Sequence, residues 1–282
     1  MTVQFSKGHG TENDFVVLPD PDGALHLTPA RVAALCDRRR GLGADGVLRV
    51  VRWAVLGDGP APQPGVEWFM DYRNADGSVA EMCGNGVRVY GHYLAHRGWL
   101  PDGELALGTR GGVRTVRVAA DEVSVDMGAA TVGEASTASV HGAAFPGVAV
   151  DVGNPHLACV TDTTIDALDL TWPPGHDPAL FPHGVNVEFV SPLGPDETGT
   201  GDEVTMRVHE RGVGETRSCG TGTVAAVVAA LRHAGRAWGT VGVRTPGGRL
   251  RVTVGDGTTV LHGPAVLVAH GDIADDWWAS QR

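Results

Sequence analysis

The sequence predicts an α+β fold of two pseudo-symmetric domains, each a β-rich sheet or barrel wrapped around a central helix. Three observations carry that expectation. Two short motifs, Cys83-Gly84-Asn85-Gly86 and Cys219-Gly220-Thr221-Gly222, lie 136 residues apart in a chain of 282, and each precedes an apolar stretch of helical character. Other landmarks repeat in the same order: Asn13 matches Asn154 and Asp45 matches Asn186 at an offset of 141, while Asn74 matches Glu210 at 136. Matched order at nearly constant spacing marks an internal duplication, here as two domains and not as a solenoid. Finally, valine-rich alternating runs bounded by Gly, Pro and Asp turns fill both halves and read as strands.

The strand candidates are Val3–Phe5, Val47–Trp53, Val66–Tyr72, Val113–Val118, Val123–Met127, Val148–Val152, Val204–His209, Val241–Thr245 and Leu250–Val254. Met70 and Met206, each 13 residues before a motif cysteine, open strand-like runs. Helices are expected over Gly86–Arg97 and Gly222–Ala234. The second is apolar almost all round, which suits a helix enclosed by a sheet. Gly41-Leu-Gly-Ala-Asp-Gly46 has the spacing G-x-G-x-x-G, but a valine-rich strand follows it where a dinucleotide fingerprint needs a helix, so it reads as a loop. The domain boundary is expected within Gly128–Ala144, rich in Ala, Ser, Thr and Gly. That divides the chain into residues 1–130, carrying Cys83, and 131–265, carrying Cys219, with the tail 266–282 packing on the first half.

Composition narrows the function. An apolar content of 42% with 20% charged residues is that of a globular protein. The net charge of −11 offers no basic field for nucleic acid or an anionic membrane, so neither is expected as a partner. The opening Met1–Gly10 has no apolar core of signal-peptide type, and the longest apolar run, Val224–Leu231, is too short to span a bilayer. A soluble cytoplasmic protein is the expectation. Of the four cysteines, Cys36 reads as the buried face of a helix and Cys159 as a strand interior. No C-x-x-C and no P-loop occur, and no metal site is indicated. Lys7 is the only lysine, and a pyridoxal-phosphate enzyme would need it for the Schiff base. Side chains alone are therefore expected to do the chemistry, without a cofactor.

A cysteine at a helix start sits beside unpaired backbone N–H groups and a partial positive charge, which favour the thiolate and lower its pKa. Flanking glycines let a ligand approach the backbone, whose N–H groups can hold a carboxylate. Two such sulfurs on either side of an α-carbon suit proton exchange with inversion: one accepts a proton as thiolate while the other donates one as thiol. The carbanion between them would need preorganised donors in a site closed to water.

The residues His9-Gly-Thr-Glu-Asn-Asp-Phe15, Arg73-Asn-Ala-Asp-Gly-Ser78, Met82-Cys-Gly-Asn-Gly86, Val152-Gly-Asn-Pro-His156, Gly184-Val-Asn186 and His209-Glu-Arg-Gly-Val-Gly-Glu-Thr-Arg-Ser-Cys-Gly-Thr-Gly222 resemble the diaminopimelate epimerase family through nearly the whole chain. The resemblance implies that Cys83 and Cys219 are the base and acid pair. It implies that Asn13, Asn74, Asn154 and Asn186 bind the substrate's amino and carboxylate groups, and that Glu210 and Arg211 hold its distal end or the reacting amine. Gly84-Asn85 and Gly220-Thr221 would supply the N–H cradles. His156 is implied as a neighbour that assists the thiol; as a residue after Asn-Pro it reads equally as a structural hydrogen-bonder. The implied reaction interconverts LL- and meso-diaminopimelate, in lysine and peptidoglycan-precursor biosynthesis, with no cofactor and with a homodimer as the expected assembly. Two departures stand out: Glu12 precedes Asn13 where the family usually has glycine, and Gly46 stands where it often has glutamine. The alternatives are a proline or hydroxyproline racemase of the same superfamily, whose members tend to carry histidine where this chain has Asn85, a thiol redox protein using the two cysteines as a switch, and a non-catalytic binder of small acids.

Overall fold

The computed structural model describes residues 2–100, 103–120 and 122–281. The chain divides into two compact units, Met1–Val125 with Pro264–Arg282, and Asp126–Gly263. In chain order the first unit contains β1 Val3–Gly10, β2 Asn13–Pro19, α1 Pro29–Cys36, β3 Gly46–Arg52, β4 Trp68–Asn74, α2 Gly84–His96, β5 Glu104–Thr109 and β6 Gly112–Val118. Then come β7 Val123–Gly128, β8 Thr131–Val140, β9 Ala143–Asp151, β10 Pro155–Val160, β11 Asn186–Val190, β12 Gly194–Pro195, β13 Asp202–Glu210 and β14 Gly214–Thr216. The remainder is α3 Gly220–His233, β15 Gly239–Thr245, β16 Gly248–Val254, β17 Thr259–Gly263, β18 Val266–Ile273 and α4 Asp275–Ser280.

The duplication is explicit in the strand pairing. In the first unit the ladder runs β18, β1, β2, β3, β4, β5, β6, β7; its successive pairings are antiparallel, antiparallel, parallel, antiparallel, parallel, antiparallel and antiparallel. In the second, β8, β9, β10, β11, β13, β15, β16 and β17 follow the same seven-step pattern. Each ladder bends round one helix. α2 touches β18, β1, β2, β3, β4 and β6, and α3 touches β9, β10, β11, β13, β15, β16 and β17. α3 is buried from Gly220 to Leu231, as its all-round apolar sequence requires. α2 is buried over Gly84–Gly91, and its one charged residue there is Arg88.

Both helices begin two residues earlier than their apolar pattern suggests, because the cysteine itself caps them: Cys83 Sγ accepts from the Gly86 N–H and Cys219 Sγ from the Gly222 N–H, both at 3.4 Å. Both end on a left-handed glycine, Gly98 (φ 68°) and Gly235 (φ 70°), the conformation that closes a helix without a Cβ clash. Met70 and Met206 lie inside β4 and β13 and do not open them. The Ala/Ser/Thr/Gly-rich stretch read as a boundary holds the ten-residue strand β8, paired along β9. Its small side chains pair through backbone and leave most of the strand exposed, so the alternation that marks other strands is missing.

Candidate active site

In the first unit the candidate residues gather where β2 and β3 begin and β4 ends. Asn13 opens β2, Gly46 opens β3 beside Phe15, and Asn74 closes β4 opposite Gly46. The two-residue turn before Asn13 places Thr11 (φ 51°) and Glu12 (φ 63°) in the left-handed region, as a type I′ hairpin demands. Asn13 is tied on both sides. Its amide nitrogen donates to Asp45 Oδ2 at 2.8 Å, and its carbonyl faces the Cys83 sulfur at 3.5 Å and the Asn85 amide at 3.3 Å. Cys83 is half-buried, while Gly84 and Asn85 are buried in the first turn of α2. Asn74 is turned to Ser78, with its side-chain nitrogen 3.0 Å from Ser78 Oγ. Lys7 is engaged with Asp14 and the Gly43 carbonyl.

The second unit repeats the plan with different chemistry. Asn154 precedes β10, Asn186 opens β11, Glu210 closes β13, and Cys219 caps α3. Asn186 joins two strands: its nitrogen donates to the Pro155 carbonyl at 3.2 Å, and its oxygen accepts the Arg211 backbone N–H at 2.9 Å. The Arg211 guanidinium donates to the His183 carbonyl at 3.2 Å, over Gly184 (φ 80°), where an added Cβ would lie 3.1 Å from the arginine stem. Glu210 accepts the Thr216 hydroxyl. Gly220 and Thr221 are buried, and the Thr221 hydroxyl lies 3.6 Å from the Cys219 sulfur.

His156 is fully buried and both its nitrogens face oxygen: Nδ1 meets Glu188 Oε1 at 2.7 Å and Nε2 meets Asn154 Oδ1 at 3.0 Å. With Asn154 presenting its carbonyl, Nε2 is placed to donate to it, and Nδ1 stands against the Glu188 carboxyl. Burial pushes the Glu188 carboxyl up, against the opposing pull of His156. An added Cβ on Gly222 would come within 2.7 Å of Glu188 Oε1, so this carboxylate stands directly behind the first turn of α3.

The helix-start argument fails at Cys219. Its thiol is pushed well above the ordinary value, first by burial and then by the charges of Glu210 and Glu188, against the lowering bonds from Thr221 and the Gly222 N–H. Burial together with two carboxylates outweighs one helix end. Cys36 and Cys159 are buried thiols pushed up to about 12 by burial; they lie at the end of α1 and inside β10, and neither caps a helix.

The sheet register also corrects the offset read from sequence. Asn186 faces His156 across its parallel pair as Gly46 faces Phe15, so Asn186 occupies the place of Gly46 and not that of Asp45. Gly46 has no room for a side chain, since a Cβ there would lie 2.6 Å from the Arg73 carbonyl and 2.7 Å from the Tyr72 ring. Three polar residues beside the candidate groups escaped the sequence reading as site residues: in the first unit Asp45, which holds Asn13, and the buried Arg88, and in the second the buried Glu188. The last two had a signal, each being a lone charge inside an apolar run, Val185–Val190 and Val87–Tyr90.

Solved structures share this duplicated architecture of helix-centred sheets. A phenazine biosynthesis protein of the PhzF family from Bacillus anthracis aligns with a TM-score of 0.70 at 14% identity, covering 97% of this chain and 99% of its own. A hydroxyproline epimerase from Agrobacterium vitis aligns at 0.67 and 15% identity, covering 98% and 93%. At such identities the likeness defines the fold class. Sequence goes further: a model of the family described as diaminopimelate epimerase matches residues 5–133 and 148–268. Diaminopimelate epimerases from Mycolicibacterium paratuberculosis and Rhodococcus opacus are 57% and 55% identical, over 98% of this chain and 98–99% of their own lengths. The chain belongs to the diaminopimelate epimerase family.

Proposed function

We propose that this protein is an isomerase that interconverts LL- and meso-diaminopimelate without a cofactor, serving lysine and peptidoglycan-precursor synthesis. The carrying observation is the family match along nearly the whole chain, together with two cysteines that cap equivalent helices in two units of the same topology. In the forward reaction the Cys83 sulfur, as thiolate, takes the α-proton, and the Cys219 thiol delivers its proton to the opposite face of the same carbon. The two sulfurs finish with exchanged protonation, and the reverse reaction uses them in exchanged roles. Backbone N–H groups at Gly84-Asn85 and Gly220-Thr221 receive the substrate carboxylate and the charge that develops beside it. Asn13, Asn74, Asn154 and Asn186 orient the amino and carboxylate groups, with Glu210 and Arg211 holding the second charged end. His156, fixed by Glu188, orients Asn154.

The setting is cytoplasmic in this reading, because a thiol/thiolate pair works only where cysteines stay reduced. Of the described residues, no helix is long and apolar enough to cross a membrane. The assembly is a homodimer, which sedimentation at micromolar concentration tests; a monomer there removes that part of the reading. The activity test is isotopic. With LL-diaminopimelate in deuterated water, the protein exchanges the α-hydrogen and forms the meso isomer, while L-proline keeps its hydrogen. Exchange on proline in preference would transfer the protein to the proline racemase class. Activity lost on adding reductant would favour a redox protein.

A further inference from the structure

Arg88, on the second turn of α2, is completely buried. Its Nε donates to the Pro264 carbonyl at 3.2 Å and its Nη2 to the Thr11 hydroxyl at 3.1 Å, while Nη1 has no hydrogen-bond partner. Its bonded partners are thus neutral. Gly10 lies against it so closely that an added Cβ would meet Nη2 at 2.9 Å and the Asn85 carbonyl at 3.1 Å, which sets the guanidinium beside the turn that Cys83 caps. Burial draws Arg88 down to about 10, and the charge that opposes the fall is the Cys83 sulfur. Arg88 therefore stays cationic at neutral pH. A buried cation normally requires an anion close by to offset its desolvation.

We propose that Arg88 is a positioning residue whose buried positive charge holds the Cys83 sulfur as thiolate in the resting protein. This rests on reading Cys83 as the proton acceptor. The second unit supplies the contrast. The residue five places after Cys219 is Val224, not arginine. An added Cβ on Gly86 would meet Leu48 at 3.2 Å and Phe15 at 3.5 Å, both apolar, where the same atom on Gly222 meets Glu188. The two halves thus differ behind their sulfurs: a buried cation stands in the first, and carboxyl groups stand in the second. One sulfur is prepared as the base and the other as the acid before any substrate arrives.

The acidic groups around α2 are held by other cations or exposed. Asp14 on β2 is held by Lys7 and Arg38, and Asp45 by Arg38. Asp71 on β4 is enclosed by Arg49, Arg73 and Arg110. Glu12 and Glu81 are exposed. His9 on β1 is the imidazole to control for.

The test measures thiol ionisation and needs no turnover. In a Cys219→Ala chain, the rate of Cys83 alkylation by iodoacetamide is followed against pH, with Cys36 and Cys159 silent. Arg88→Met should raise the midpoint by at least about one pH unit, a tenfold loss of thiolate below it. Arg88→Lys, which keeps the charge, and His9→Gln should both stay near the parent. An Arg88→Met midpoint equal to the parent overturns the proposal. Should Arg88→Met not fold, thiolate absorbance in chains with Arg88 intact decides. Near neutral pH it should appear in Cys219→Ala and be absent from Cys83→Ala, and equal midpoints in the two overturn the proposal. A chain that shows these displacements yet leaves diaminopimelate unexchanged sinks the enzymatic reading alone.

Discussion

Cys219 and Cys83 occupy equivalent places and meet different neighbours, so their substitutions should be read separately. If they are the two proton carriers proposed above, replacing either with alanine should cut α-hydrogen exchange about 100-fold or more, measured by deuterium incorporation. Residual exchange within a factor of a few would show that the sulfur in question does not move the proton. Glu188→Gln keeps the shape of the His156 contact and removes a carboxylate that holds the Cys219 thiol up. In a Cys83→Ala chain it should therefore move the Cys219 alkylation midpoint downward; an upward move would mean that Glu188 is neutral and acts through packing. The cysteines were legible in the sequence because a rare motif occurs twice in register. Glu188 and Arg88 were not, because their meaning depends on what lies across the sheet. A glutamate in β11 becomes part of the site only when the fold sets it behind Gly222 and against His156 from β10.

The start of α3 is packed more tightly than the start of α2. An alanine at 222 would press on Glu188 at 2.7 Å, and one at 86 would meet Leu48 at 3.2 Å. Gly222→Ala should cost about 1–3 kcal/mol in denaturant unfolding, and Gly86→Ala clearly less; the reverse order would contradict the packing described. The β1–β2 turn invites the opposite change. Glu12 holds φ 63° without a glycine's freedom, so Glu12→Gly should stabilise by about 1 kcal/mol. A loss instead would show that the glutamate side chain contributes more than its backbone costs. Valine alternation revealed about half of the described strands, and the two long helices showed as apolar runs. β8 stayed hidden because Thr131–Val140 carries small side chains on an exposed ribbon. The one-residue slip between Asp45 and Asn186 stayed hidden because register is fixed by backbone pairing, which side-chain landmarks report only to within a residue.

At the scale of the whole molecule, acid sensitivity is written into the first unit. Asp14 is held down at about 2, with the Arg38 and Lys7 contacts outweighing the opposing effect of its burial, and Asp71, enclosed by arginines, also lies below its ordinary value. A carboxylate with a depressed folded pKa contributes stability that is complete above its unfolded value, about 4, and is lost as pH falls through the folded one. Thermal melts should therefore fall steeply between about pH 4 and pH 2. Lys7→Met should lower the melting temperature near neutral pH, with its difference from the parent shrinking across that same acidic window. A difference that grows there would show that Asp14 draws nothing from the lysine. The two-unit plan was legible from matched landmarks, and the identical ladder of seven pairings gives it physical form.

In both halves one sulfur atom also fastens the opening turn of its helix, through the Gly86 and Gly222 amides. Thiolate is the stronger acceptor of an amide hydrogen, so in the proposed exchange, where one sulfur gains a proton as the other gives one up, one helical end slackens as its counterpart grips.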